Sequence, residues 1–300
     1  MPKITAVIVS FLRSQYTIDC VRTLHETCPK IKILVGENGN YDKDIEEAVK
    51  KAKGQYILYP FDSGNSFVRN RLVEKAKTKY VLIGDDDFWY DEGMKADEMV
   101  KFLENTDFDL IGGRASYPDR VGKREHRYFI EEHPDHIEFK LASTDNLEVE
   151  PESGLNYIVC DSVAQFFVAK RKSLVKWDER FTGSYEHPKF FIDMKQAGRK
   201  VAFTPDSMVW HKKQGNLNSE EYKSHRWGTK DRNQFLDVLG VEYFLRGGEM
   251  IGKRKGPLRR EVYYATRTVR IDGRLYNRGD IVKTRKPHPY LIRKSRMIKP

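Results

Sequence analysis

The sequence predicts an α/β protein in which a mostly parallel sheet carries helices on both faces and a small basic β-module follows. Three observations point that way. Up to Leu110, short β-branched runs alternate with segments whose apolar residues recur at helical spacing. Beyond Leu110 the alternation weakens into longer strand-like runs. The final stretch, Glu261–Pro300, then alternates Val, Ile and Tyr with Arg and Lys around two turn signals, Asp272-Gly273 and Arg278-Gly279-Asp280.

Ile4–Phe11 is the kind of run a parallel strand needs when both its faces are covered. Ser14–Thr27 places Tyr16, Ile18, Val21 and Leu24 near helical spacing, and Pro29 stops it. Ile31–Gly36 is a second strand, ending in the turn signal Glu37-Asn38-Gly39-Asn40. Asp42–Lys53 is a charged helix with a thin stripe of Ile45, Ala48, Val49 and Ala52. Gln55–Tyr59 is a third strand and Ser66–Ala76 a helix. Tyr80–Ile83 is a fourth strand that runs straight into Gly84-Asp85-Asp86-Asp87, and Asp91–Leu103 is the next helix. Strand–helix alternation of this kind builds a parallel sheet. Farther on, Tyr128–Lys140 and Tyr157–Ala169 read as longer, partly antiparallel strands separated by the polar stretch Ser143–Ser153. Phe190–Gln196 is helical up to Gly198, Val201–Phe203 is a strand, Ser219–Leu239 is helical, and Gly247–Gly256 is a Lys/Gly-rich link.

The hydrophobic fraction of 39% and charged fraction of 33% describe a polar-surfaced globular chain. No apolar run approaches the roughly 18 residues needed to cross a bilayer, and Ile4–Leu12 lacks the flanks of a secretion signal. Cys20, Cys28 and Cys160 form no CxxC pair, so neither a disulfide framework nor a zinc site is expected, and a cytoplasmic setting fits. Charge is placed unevenly. Residues 212–300 hold 23 Lys and Arg against 9 Asp and Glu, whereas the 211 residues before them hold 31 against 35. A neutral body joined to so basic a third suggests a polyanionic partner.

Ligands of open α/β sheets bind at the carboxyl ends of strands, and Asp85-Asp86-Asp87 stands at such an end. Three adjacent carboxylates repel one another unless a cation neutralises them. Hard oxygen ligands suit Mn2+ or Mg2+, ions usually shared with substrate phosphates. A helix N-cap cluster would account for the three aspartates alone.

Their surroundings favour the catalytic reading, because this sequence resembles the family-2 type of glycosyltransferase with the GT-A fold. Val7-Ile8-Val9-Ser10-Phe11-Leu12-Arg13 looks like the family's opening strand and turn, although without its usual Pro and Asn. Val35-Gly36-Glu37-Asn38-Gly39 is similar to its second strand, whose acidic residue contacts the nucleoside. Gly64-Asn65-Ser66-Phe67-Val68-Arg69-Asn70 is like the Arg-Asn helix start beneath the donor, and Tyr80–Asp87 resembles the DxD strand. Glu186-His187-Pro188-Lys189-Phe190-Phe191 is very similar to the EHxxFF segment of GalNAc-transferase-like members. Pro205–His211 resembles the closing strand. The resemblance spans about residues 4–215. It implies Glu186 as catalytic base and Asp85, Asp87 and His211 as ligands of Mn2+ or Mg2+. It also implies Ser10, Phe11, Arg13, Glu37, Asn38, Arg69 and Asp86 around a nucleotide-sugar donor, a UDP-sugar in expectation, with inversion at the anomeric carbon.

The expected division is a catalytic domain over 1–215, a helical extension and linker over 216–256, and the β-module over 257–300. Arg and Lys interleaved with Tyr263, Tyr264, Tyr276 and Tyr290 suit phosphate contacts and base stacking. Acceptor contacts are therefore expected at Asp161, His187, Lys253, Arg254, Lys255, Arg259 and Arg260, with nucleic acid as acceptor in the manner of phage DNA modification inside a bacterial host. Three other readings compete. One is a saccharide, lipid-linked or protein acceptor with the basic tail on an anionic membrane; another is a nucleic-acid-binding protein with a degenerate transferase fold. The last is a carboxylate-cluster nuclease. A nucleotidyltransferase would need glycine in the first turn, and Ser10–Ser14 has none.

Overall fold

The computed structural model describes residues 3–118, 126–211, Tyr222, His225 and 230–252, together with the backbone of five short strands beyond them. The chain divides into two compact units, Met1–Lys253 and Arg254–Pro300.

In the first unit the elements run β1 (Ile4–Ser10), α1 (Ser14–Thr27), β2 (Lys32–Glu37), α2 (Lys43–Lys51), β3 (Gln55–Leu58), α3 (Asn65–Lys75), β4 (Tyr80–Asp85), β5 (Phe88–Trp89) and α4 (Ala96–Asn105). They continue as β6 (Leu110–Ser116), β7 (Arg127–Glu132), β8 (His136–Leu141), β9 (Glu148–Glu150), β10 (Leu155–Cys160), β11 (Ser162–Val163), β12 (Phe167–Lys170), α5 (Glu186–Gln196), β13 (Val201–His211), α6 (Lys230–Leu239), β14 (Tyr243–Arg246) and β15 (Glu249–Gly252).

The central sheet is ordered β3-β2-β1-β4-β12-β6-β13-β10-β9, with β5 on β13. Its first four strands are parallel, as are β6 and β13; β12 runs against both its neighbours. Side chains alternate across the sheet and are covered on both sides. Val7, Val9, Val81 and Ile83 join Val68 and Leu72 of α3, Phe190 and Phe191 of α5 and Phe235 of α6 in one core. Ile4, Ala6, Ile8, Tyr80 and Leu82 meet Val21 and Leu24 of α1, Ile45 of α2 and Met99 of α4 in the other. Burial on both faces is why these strands read as unbroken apolar runs. Register then sets the site, because Ser10 lies opposite Glu37 and Val9 opposite Asp85, bringing three strand ends level.

Several expected elements differ. Tyr128–Lys140 is two strands, β7 and β8, because Pro134 has no N–H for a ladder and the His133 N–H closes the turn on the His136 carbonyl at 2.9 Å. Tyr157–Ala169 is three, β10, β11 and β12. The stretch expected as a link at 247–256 contains β15, which pairs with β14 across Gly247 and Gly248, with φ of 56° and 83°. Two positive φ angles suit a tight hairpin turn, and Gly-Gly supplies them without strain. This hairpin joins a second sheet, β11-β7-β8-β14-β15, within the first unit. The helix at Phe190–Gln196 begins earlier, at Glu186, and that at Asp91–Leu103 later, at Ala96. Of Ser219–Leu239, the described continuous part, Lys230–Leu239, is helical.

The second unit contains β16 (Glu261–Ala265), β17 (Val269–Ile271), β18 (Arg274–Tyr276), β19 (Ile281–Thr284) and β20 (Leu291–Arg293). β16 lies between β19 and β20, antiparallel to both, and β17 pairs antiparallel with β18.

Candidate active site

The levelled ends of β1, β2 and β4 hold the acidic cluster, and its three aspartates separate into two roles. Asp85 and Asp87 present ligand atoms that lie, together with one from His211, all within 4.8 Å of one another. His211 arrives by a two-residue pairing, β5 on β13, in which it stands opposite Phe88. Its Nε2 is 3.6 Å from Asp87 Oδ1, its ring meets Phe88 edge-on and Tyr117 stacks on it at 4.6 Å. Two carboxylates and an imidazole are a fitting donor set for Mn2+ or Mg2+ beside a phosphate.

Asp86 faces Arg13 instead. The Arg13 guanidinium donates through Nε to Asp86 Oδ2 at 3.2 Å, through Nη2 to Asp86 Oδ1, and through Nη1 to Asp87 Oδ2 at 2.8 Å. Both partners are buried. Burial works against the guanidinium's charge, but Asp86 and Asp87 outweigh it and hold Arg13 more firmly protonated than a free arginine. Arg13 and Asp86, both expected on the donor, thus engage each other. The Arg13 fork supplies one internal positive charge to the crowded carboxylates.

Glu37 ends β2 beside them, 2% exposed, and its Oε1 accepts the Gly39 N–H at 2.7 Å. Burial pushes its carboxyl up to about 7, with Asp86 adding to the rise and hydrogen bonds from Ser10 and Gly39 opposing it. Ser10 in turn accepts from the Thr17 hydroxyl at 2.9 Å. Asn38 accepts from the Ser63 hydroxyl at 2.7 Å and from the Gly64 N–H at 3.2 Å, fastening the entry to α3. Gly64 is required there: its φ is +98° and an added Cβ would stand 2.9 Å from Thr182 Cα. Phe11 packs in an aromatic group with Phe61, Tyr222 and His225 at centroid distances of 5.7, 6.3 and 5.4 Å.

A polar chain links α3 to the start of α5. Arg69, 2% exposed, has Nη2 at 3.7 Å from Asp85 Oδ1. With the Gln165 amide oxygen turned toward Arg69, as its surroundings require, it accepts from Nη1 at 2.7 Å while the amide nitrogen donates to His187 Nδ1 at 3.0 Å. His187 Nε2–H donates to the Val163 carbonyl at 2.8 Å. Burial lowers the His187 pKa to about 3, so the ring is neutral. Glu186, 6% exposed, opens α5 one position earlier, behind Tyr185 in the left-handed region with φ 66°. The chain therefore ties His187, the second residue of α5, to the Asp85 end of β4.

Asp161 is committed elsewhere, accepting the Ile130 N–H at 2.8 Å and pairing with Lys195 Nζ at 2.7 Å. Lys253, Arg254, Lys255, Arg259 and Arg260 lie outside the described residues. Sequence reasoning missed Gln165, Phe61, Tyr222 and His225. None belongs to a motif, and only tertiary contact joins them to the site.

The level strand ends place the carboxylate–imidazole cluster at the carboxyl edge of an α/β sheet. Residues 5–174 match the family model Glycosyl transferase family 2, and the chain belongs to that family. It is 26% identical over 243 residues to Beta-1,4 N-acetylgalactosaminyltransferase 1 of Rattus norvegicus, covering 77% of this chain and 44% of the relative. It is 28% identical over 110 residues to Beta-1,4 N-acetylgalactosaminyltransferase 2 of Mus musculus, covering 37% and 21%. The chain thus spans under half the length of these curated relatives. In fold it is similar to S. aureus TarS 1-349 in complex with UDP-GlcNAc, with TM-score 0.56, 12% identity and coverage of 79% of this chain and 65% of that one. It is also similar to GalNAc-T7 with UDP, GalNAc and Mn2+, with TM-score 0.55, 12% identity and coverage of 80% and 55%. Among the described residues no helix is long and apolar enough to cross a membrane.

Proposed function

We propose that this chain is an inverting, metal-dependent glycosyltransferase that moves a sugar from a UDP-sugar to an acceptor hydroxyl. The observation that carries the proposal is the convergence of Asp85, Asp87 and His211 at the carboxyl edge of the sheet. A divalent cation bound there offsets the charge of the diphosphate leaving group. Arg13 holds Asp86 and Asp87 in place, Arg69 orients Asp85, and Glu37 with Ser10 offers polar groups to the nucleoside. Glu186 takes the acceptor hydroxyl proton as the new C1–O bond forms and the C1–O bond to phosphate breaks, its electron pair leaving with the diphosphate. The relatives' names and the UDP-GlcNAc held by the structural neighbour favour an N-acetylhexosamine as the sugar.

Two measurements test this. Calorimetry of UDP-sugar binding should show affinity that EDTA removes and Mn2+ or Mg2+ restores; equal affinity with and without EDTA would overturn the metal role. Glu186→Gln should lower transfer by about 10²–10⁴ while leaving donor affinity nearly unchanged. Turnover at the wild-type rate would place the base elsewhere.

The acceptor is read from charge. Residues 253–300 hold 16 Lys and Arg against 3 Asp and Glu, which favours a phosphate-bearing acceptor, nucleic acid first among them. Mass spectrometry of DNA from cells expressing the protein beside its Glu186→Gln variant tests that reading directly.

A further inference from the structure

We propose that the β7–β8 hairpin carries a second metal site, of zinc type, formed by His133, His136 and Glu138. Their ligand atoms all lie within 4.8 Å of one another. Local structure brings them together. His136 and Glu138 are two apart on β8 and so share a face. His133 is folded back over His136 by the turn hydrogen bond from its N–H to the His136 carbonyl. The two imidazoles stack at 4.3 Å with 11° between their planes.

His136 is held from two sides. Tyr243, its register partner on β14, stacks on it at 4.9 Å and 6°. Asp135 Oδ1 lies 2.8 Å from His136 Nδ1, while Asp135 Oδ2 accepts from the Tyr243 hydroxyl at 3.4 Å. A carboxylate on Nδ1–H leaves the Nε2 lone pair as the donor, the outer-shell arrangement that orients metal-ligating histidines. Glu131, 3.9 Å from His133 Nε2, adds a further carboxylate at the rim.

Two imidazoles and one carboxylate suit Zn2+, with water completing a tetrahedron, better than they suit Mg2+ or Mn2+. Tetrahedral bonding draws the ligand atoms to about 3.3 Å from one another. His133 supplies that movement by turning out of the stack, so that both in-plane lone pairs converge on the ion; its side chain is 39% exposed while that of His136 is 17% exposed. The bound ion would clamp the hairpin turn and, through Tyr243, its junction with β14. None of these residues belongs to the Asp85, Asp87 and His211 cluster.

Equilibrium dialysis of the full-length protein against ZnCl2 tests the site. Wild type should hold one zinc equivalent more than His133→Ala/His136→Ala, and Co2+ in place of Zn2+ should give tetrahedral visible absorption that the double variant lacks. Because imidazoles must shed protons to ligate, acidification should release that equivalent. Circular dichroism establishes that the variant is folded. If it is not, Glu138→Gln, which keeps shape and removes charge, carries the test and should weaken zinc binding at least tenfold. Equal zinc stoichiometry in wild type and folded double variant, or unchanged affinity in Glu138→Gln, would overturn the proposal.

Discussion

At the scale of single residues, the site is governed by charges placed where water cannot reach them. Arg13 is the clearest case, because removing it leaves Asp86 and Asp87 buried without their cation. Loss of one partner of a buried pair costs about 3–5 kcal/mol. Arg13→Ala should therefore lower unfolding free energy by about that amount in urea titration; a loss within error of zero would mean the pair is not formed. Glu37 and His187 make a second prediction with opposite signs. The Glu37 carboxyl is raised from 4.5 to about 7, so its contribution is full below about 4.5 and declines as pH rises toward 7. The His187 ring is lowered from 6.5 to about 3, so its contribution is full above about 6.5 and is lost as pH falls toward 3. Measured against wild type between those limits, Glu37→Gln should flatten a stability that falls with pH, and His187→Asn one that rises with pH. Matching slopes in the two variants would refute the assignment.

Elements explain what could be read in the sequence and what could not. The β1–α4 alternation was legible because strands covered on both faces are written as plain apolar runs, Ile4–Ser10 and Tyr80–Ile83 among them. The convergence of Asp85, Asp87 and His211 was legible because strand ends carry them as short motifs; Glu186, the proposed base, stands at the first position of α5. The β7–β8 and β14–β15 hairpins were harder. Pro134 and Gly247-Gly248 mark both turns, yet these short strands are paired across the sequence, β8 with β14, and such pairing leaves no local period. Gln165 was illegible for a related reason, since its role exists only where α3, α5 and the segment before β12 meet. It bridges Arg69 and His187, so Gln165→Leu should loosen Asp85 and the start of α5 together. The expected result is a kcat reduced about tenfold or more, as when a group that orients a ligating side chain is lost, with Gln165→Glu restoring little because a carboxylate cannot donate to neutral His187. If Gln165→Leu changed only the unfolding midpoint and left kcat and KM intact, the bridge would be structural alone.

The whole molecule is two compact units, and they differ more in charge than in size would suggest. The boundary falls between Lys253 and Arg254, and the residues from 253 onward carry 16 Lys and Arg against 3 Asp and Glu. Every proposed donor-site residue precedes that boundary. A chain truncated after Gly252 should therefore keep UDP-sugar binding and slow donor hydrolysis, while losing affinity for polyanions. For duplex DNA the full-length chain should bind with little sequence preference, and with about 5 phosphate contacts log affinity should fall against log salt with a slope of about −4 to −5, since each contact releases condensed counterions. An anionic-membrane role predicts instead that truncation lowers binding to phosphatidylserine vesicles while DNA binding is absent in both forms. Failure of the full-length chain to bind duplex DNA at about 50 mM salt, where such contacts are strongest, would exclude the nucleic-acid acceptor. The donor site would be untouched by that result, because its residues and its tests lie wholly within the first unit.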